Sequence, residues 1–211
     1  MTPMSSRPAP SPTSAPQGAL RERKRVRTRR AIRKAAYELF DQYGYEATRV
    51  DQIAEVAEVS ASTVFRYFPT KEDIVLAGEE NPVLEAALRA RPEHETPLAA
   101  LRGALHEAMR TEYATPEARD EVFRRMRLIS SVPTLRSRLP ETMALTSDYL
   151  ARALADRTGH PPDGLELRVF VGAVVGGYRE AMLYWSDQGM HEDLKDVIDR
   201  ALDVLENDLA V

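Results

Sequence analysis

The sequence predicts an all-α protein with a small N-terminal head and a larger helical body. Three observations carry that expectation. Apolar residues recur at the three- and four-residue spacing of one helix face along most of the chain. Proline and glycine punctuate the segments so formed, and no alternating strand pattern competes with them. A chain of 211 residues suits one or two domains and can bury a real core.

The elements follow in order. Residues 1–20, MTPMSSRPAPSPTSAPQGAL, are rich in Pro, Ser and Ala without a hydrophobic period, which predicts a disordered tail. Residues 21–34, RERKRVRTRRAIRK, hold nine basic residues and one acid. This run enters a helix with Ile32, Ala35, Ala36, Leu39 and Phe40 on one stripe. Thr28 is its expected N-cap and Gly44 its C-cap. The basic segment 21–27 is either an arm for the minor groove or a source of non-specific phosphate attraction.

Residues 48–68, TRVDQIAEVAEVSASTVFRYF, read as two short helices joined by a tight turn, the arrangement of a DNA-docking helix-turn-helix. Thr48 is expected to start the first helix, with Asp51 three residues on. Val50, Ile53, Ala54 and Ala57 fall at helical spacing, Glu58 and Val59 make the turn, and Ser60 caps the second helix. With Val64 placed at zero and 100° per residue, Phe68 and Ala61 fall on the inner side. Ser62 and Arg66 lie opposite, flanked by Thr63 and Phe65, with Tyr67 one turn beyond Thr63. A solvated helix carries Glu and Lys on such a face. This one carries hydroxyls, aromatic rings and an Arg, groups that reach base edges, thymine methyls and phosphates. Thr70 then caps a further helix, with Lys71 in its first turn, where a phosphate meets an ammonium and free amides.

The stretches AAYELFDQYGYEATRVDQIAEVAEVS, STVFRYF and TKEDIV, in this order and spacing, resemble the N-terminal domain of the TetR family of transcriptional regulators. The resemblance covers about 48 of the 211 residues, from Thr28 to Val75. It implies an all-helical homodimer with a three-helix DNA-binding head and a C-terminal body for ligand binding and dimerisation. By matching position it places DNA contacts on Thr48, Ser60, Ser62, Thr63, Phe65, Arg66, Tyr67 and Lys71. Arg49 stands where the family often has Thr or Ser, and would add a phosphate contact. Ser62 replaces a frequent Gly and Phe65 a common Tyr, so a phosphate bond through a Tyr hydroxyl is missing there. The domains expected are a tail over 1–20, a basic arm and DNA-binding domain over 21–75, and an effector-binding and dimerisation domain over 76–211.

In the body, helices are predicted from Thr70 to about Glu80, Pro82 to Ala90, Pro97 to Ala114, Pro116 to about Ser130, Pro140 to Thr158, Pro162 to Asp187 and Glu192 to Leu209. The last two are expected to form the dimer interface through Val171, Val175, Ile198, Leu202 and Leu205, as half of a four-helix bundle. Met109, Tyr113, Phe123, Met126 and Tyr149 are candidates to line an apolar effector cavity, together with Phe170, Tyr178, Met182 and Trp185. Arg127 and Arg179 are candidate anchors for an anionic group, or salt-bridge partners.

Charge is distributed unequally. Residues 1–75 carry 13 basic and 9 acidic residues, the rest 16 and 24, so a basic head precedes an acidic body. Cysteine is absent, which excludes disulfides and thiolate metal sites. No apolar run suits a membrane span or a signal peptide, so a cytoplasmic protein is expected. His94, His106, His160 and His191 lack metal-ligand spacing, and GxSxG, GxGxxG and phosphate-loop motifs are missing, so neither an enzyme nor a cofactor is expected. The expected partners are a near-palindromic duplex operator, a small effector and a second copy of the chain. The expected function is a dimeric, ligand-responsive regulator, a repressor released by a small apolar effector. The rival reading is a dimeric small-molecule binding protein with a degenerate head.

Overall fold

A computed structural model describes residues 15–77 and 82–207. The described residues are helical with no strand, and the chain divides into two units, 1–69 and 70–211. The division falls before the fourth helix, six residues ahead of the expected boundary, because that helix packs on the helices Pro116–Ser131 and Pro133–Thr158 of the body.

In the first unit α1 spans Ala15–Tyr43, α2 Val50–Val56 and α3 Ala61–Tyr67. Gly44 ends α1 at φ +83°, and its amide donates to the Phe40 carbonyl at 2.9 Å, the left-handed cap expected there. The start of α1 differs from expectation. Thr28 lies in mid-helix and its hydroxyl donates back to the Lys24 carbonyl at 3.0 Å, so it caps nothing. Residues 15–20, assigned to the tail, belong to α1, while 1–14 lie outside the described residues. Glu58 turns the chain between α2 and α3 at φ 52°, and the Val59 amide closes the turn on the Ala54 carbonyl at 3.0 Å. The core of this unit is Ile32, Ala36, Phe40, Tyr45, Ile53, Val64 and Phe68, all buried. Phe40 and Tyr45 pack as a tilted pair with centroids 5.0 Å apart. The guanidiniums of Arg29 and Arg33 lie 4.8 and 5.6 Å from the Phe68 ring centroid, which ties α1 to the C-terminal end of α3.

The second unit contains α4 Lys71–Leu76, α5 Pro82–Arg89, α6 Pro97–Glu112, α7 Pro116–Ser131, α8 Pro133–Thr158, α9 Leu165–Asp187 and α10 Leu194–Asn207. Thr96 and Thr115 cap α6 and α7 ahead of a first-turn proline. Helix α8 departs from the sequence reading, since Pro140 sits inside it rather than at its start. An internal proline costs a helix about 3 kcal/mol. Burial of Leu135 and Leu139, in the turns just ahead of the proline, offsets this and carries the helix through. Helix α9 starts at Leu165 because Pro161–Gly164 forms a turn closed by the Gly164 amide on the Pro161 carbonyl at 2.9 Å.

The body is joined by α9 packing on α7, α8 and α10, and by α6 packing on α5 and α10. Arg102 of α6 pairs with Asp203 at 2.8 Å and Glu206 at 3.0 Å on α10, and His106 meets Asp199 at 2.8 Å. Four of the five expected dimer contacts belong to this internal core. Val171, Val175, Ile198 and Leu202 are at most 7% exposed within one chain, whereas Leu205 is 40% exposed. The apolar stripe of an amphipathic helix shows that something covers it. In α9 and α10 the cover is mostly their own subunit.

Candidate nucleic-acid interface

Helix α3 has two faces of opposite character. Val64 and Phe68 point inward and are 0% exposed. Ser62, Phe65 and Arg66 are exposed, with Thr63 and Tyr67 half-buried beside them. Phe65 leaves 48% of its surface in water, an unfavourable exposure that a base methyl or sugar would relieve. The Arg66 guanidinium lies 5.5 Å from the Tyr67 ring centroid, which holds a flexible cation over an aromatic face.

The N-terminus of α3 is built by three hydroxyls. Ser60 Oγ accepts from the Thr63 amide at 3.1 Å, the cap expected from the sequence. The same oxygen lies 2.9 Å from Ser62 Oγ and 2.9 Å from Thr63 Oγ1. Three hydroxyl protons serve two internal contacts, so one donor remains for an outside acceptor. The cap and the outward hydroxyls are thus one structure, and the helix start fixes the polar groups it presents.

Ahead of α2, two candidates separate. Arg49 is exposed and pairs with Asp51 at 2.7 Å, a surface bridge worth at most about 1 kcal/mol that a phosphate can replace. Thr48 is 1% exposed, and its hydroxyl donates to the carbonyls of Gly44 at 2.8 Å and Leu39 at 3.3 Å. Thr48 is therefore neither the helix cap nor an outward phosphate anchor. It pins the α1–α2 loop. Arg49 holds the cap position, and Gln52 accepts from its amide at 2.8 Å, the role expected of Asp51.

In the second unit, α4 opens on a reciprocal cap. Thr70 Oγ1 accepts from the Asp73 amide at 3.2 Å and Asp73 accepts from the Thr70 amide at 2.9 Å. Lys71 is half-buried beside it and has an interaction of its own within the protein. Sequence reasoning missed Arg138, in the α8 turn before Pro140. Its guanidinium donates to Thr70 Oγ1 at 2.9 Å and lies 3.5 Å from Glu72, 3.5 Å from Asp73 and 3.6 Å from Glu141. No linear signal marks it, because its partners on α4 lie more than 60 residues away.

The nine candidate effector residues do not converge on one cavity. Trp185 is 2% exposed, packs against Phe123 as a tilted pair with centroids 5.1 Å apart and donates its Nε1–H to the Glu192 carbonyl at 2.8 Å. Met126 is 3% exposed. Trp185 and Met126 are core, and with the half-buried Phe123 they hold α7, α9 and the turn before α10 together. Tyr149 donates its hydroxyl to Glu85 at 2.7 Å, which, with Arg89, holds that carboxyl below its usual range. Met109 on α6, Tyr113 at its C-cap, and Phe170, Tyr178 and Met182 on α9 are half-buried. Of the two arginines, Arg179 bonds Glu180 at 2.7 Å and Arg127 is exposed. An open groove of about 610 Å³ lies instead between α5 and α6, lined by Val83, Ala86, Ala87, Ala90, Arg91, Gly103 and Glu107. Small side chains hold it open, a signal that a search for aromatic residues passes over. Among the described residues no helix is long and apolar enough to cross a membrane, and no His, Asp or Glu cluster has the geometry to hold a metal ion.

Residues 32–77 match the family model of bacterial regulatory proteins of the tetR family, and residues 95–210 match the MftR C-terminal domain. The chain belongs to the TetR family of transcriptional regulators. It is 38% identical over 156 residues to the HTH-type transcriptional regulator TcmR of Streptomyces glaucescens, covering 71% of this chain and 69% of that one. Its fold is shared by the fatty acid degradation regulator FadR of Bacillus halodurans, at TM-score 0.55, 20% identity and coverage of 87% and 96% of the two chains. FadR of Bacillus subtilis, solved with stearoyl-CoA, gives TM-score 0.54, 20% identity and coverage of 85% and 98%. The family places a DNA-binding helix-turn-helix on α2–α3, where the outward face of α3 stands bare.

Proposed function

We propose that this regulator is a homodimeric, ligand-responsive repressor whose α3 enters the major groove of a near-palindromic operator. The outward face of α3 carries the reading. Arg66 and Phe65 read base edges and methyls, the Ser60–Ser62–Thr63 hydroxyl group supplies a donor, and Arg49, Tyr67 and Lys71 meet phosphates. A second copy supplies the second half-site, about one DNA turn or roughly 34–36 Å away.

The dimer surface is the part of α9 and α10 that the subunit core leaves open. Leu165, Val169 and Tyr184 are exposed on one side of α9, and a side chain added at Gly172 or Gly176 would meet nothing within 4 Å. Val204 and Leu205 continue the apolar surface on α10. Facing copies of this stripe would approach closely over the glycines.

The effector is small and mainly apolar. The open α5–α6 groove has apolar Val and Ala walls, with Arg91 and Glu107 as polar anchors, and is the proposed entry for such a ligand. Signal leaves the body through α8. Arg138 grips the cap of α4, and Thr70 follows Phe68 and Pro69 directly in the chain, so a shift of α8 pulls on the end of α3. A ligand that favours one half-site spacing over another releases the operator.

Selection of binding sites from random duplex by the full chain tests this reading. A two-fold symmetric consensus, bound with strong salt dependence, is the expected result. A folded protein that enriches no sequence would overturn it in favour of a small-molecule binder with a degenerate head.

A further inference from the structure

Helix α1 extends well beyond the head it serves. Its packed part begins near Arg29 and Ile32, yet the helix starts at Ala15. From Leu20 to Arg27 almost every described side chain is exposed, Leu20 by 69%. Arg23, Arg27, Arg30 and Lys34 follow one another at four-, three- and four-residue steps, so they form a single outward stripe about 16 Å long. Neighbouring like charges at that spacing repel. Such a ridge is stabilised by an anionic surface laid along it. Arg29 and Arg33 stack on Phe68, so the direction of the ridge is fixed with respect to the end of α3.

We propose that residues 20–34 form a helical arm that lies on the DNA backbone beside the half-site read by α3. This rests on the DNA-binding reading above. Size decides which part of the duplex it meets. A helix with side chains is about 10–12 Å across. The minor groove is about 6 Å wide and the major groove, about 12 Å wide, is filled by α3. The arm therefore stays outside both grooves and neutralises flanking phosphates, carrying no sequence information.

The test compares the full chain with the R23Q/R27Q/R30Q variant on the selected operator and on a random duplex, across a range of salt. All three side chains are exposed, so far-UV circular dichroism and thermal unfolding should match the parent. The salt slope should fall by about 0.9 per lost phosphate contact, close to three units per protomer, on both duplexes alike. Trimming the flanks of the operator should weaken the parent and leave the variant unaffected. Val26→Pro keeps every charge but stops the helix there, and should remove the Arg23 share of the slope. Equal slopes for parent and triple variant, with operator binding intact, would overturn the arm and spare the repressor reading. An unchanged slope in Val26→Pro beside a loss in the triple variant would show an extended chain in the minor groove instead, which also overturns it. Absence of sequence selection by the parent would sink the repressor reading and, with it, the half-site beside which the arm is placed.

Discussion

Helix α3 in the head and the α9–α10 pair in the body are both amphipathic, and they teach different lessons. On α3 the inner residues Val64 and Phe68 are buried and the outer ones are bare, as the helical period predicts. On α9 and α10 the period also separates buried from exposed positions, yet Val171, Val175, Ile198 and Leu202 turn inward to their own subunit, and the open apolar surface is Leu165, Val169, Tyr184, Val204 and Leu205. A seven-residue helix has one packed face, so its other face is free by elimination. A 23-residue helix in the middle of a bundle has several packed faces, and the pattern does not say which neighbour takes which.

The sharpest way to break that comparison is a pair of phenylalanines, Phe65 on α3 and Phe68 at its C-cap. Phe68→Ala empties a fully buried site and removes the ring under Arg29 and Arg33, with an expected loss of about 3–5 kcal/mol in denaturant melts. Phe65→Ala should change stability by less than about 0.5 kcal/mol while weakening operator binding. Comparable melting losses for the two would mean that α3 is packed on both faces.

In the body the matching pair is Leu202→Ala against Val169→Asp with Tyr184→Asp. The first should cost about 2–5 kcal/mol and leave the oligomeric state unchanged. The second should sediment as a folded monomer, because it places charge in a closely packed apolar contact. A double mutant that remains a dimer at micromolar concentration would assign the interface to another surface.

Smaller effects separate base reading from anchoring. Arg66→Ala should shift the selected consensus at one position of each half-site and cost about 1–3 kcal/mol of binding. An identical consensus from parent and mutant would reduce Arg66 to a phosphate contact. Lys71→Ala should weaken all duplexes equally and lower the salt slope by about one unit, a change read by titration at several salt concentrations. If the slope and affinity hold, the Lys71 ammonium serves the protein alone.

Thr48 and Ser60 show how much of the site was legible. Both are hydroxyl residues at a helix start. Ser60 caps α3 as its neighbours predict, because a cap is a local contact to an amide three residues on. Thr48 instead turns back to the Gly44 carbonyl at 2.8 Å and reaches the Leu39 carbonyl at 3.3 Å, nine residues away, where only the folded loop decides the partner. Pro140 and Arg138 make the same point in the body. Proline is a helix boundary by local rules, but packing of Leu135 and Leu139 overrides it. Arg138 looks like any surface arginine until α8 folds beside α4.

The sequence by itself determined the all-α class, the order of the helices, the caps at Gly44, Ser60 and Thr70, and the polar face that α3 turns outward. These depend on periodicity and on contacts within about four residues, which are written in the chain. Only the tertiary structure decided that the basic segment continues α1 as a helix, that Trp185 and Met126 fill the core, and that the open groove is walled by small residues of α5 and α6. It alone decided which apolar stripe of α9 and α10 stays exposed. Those outcomes turn on which helices become neighbours, and burial favours any apolar contact without regard to which helix provides it.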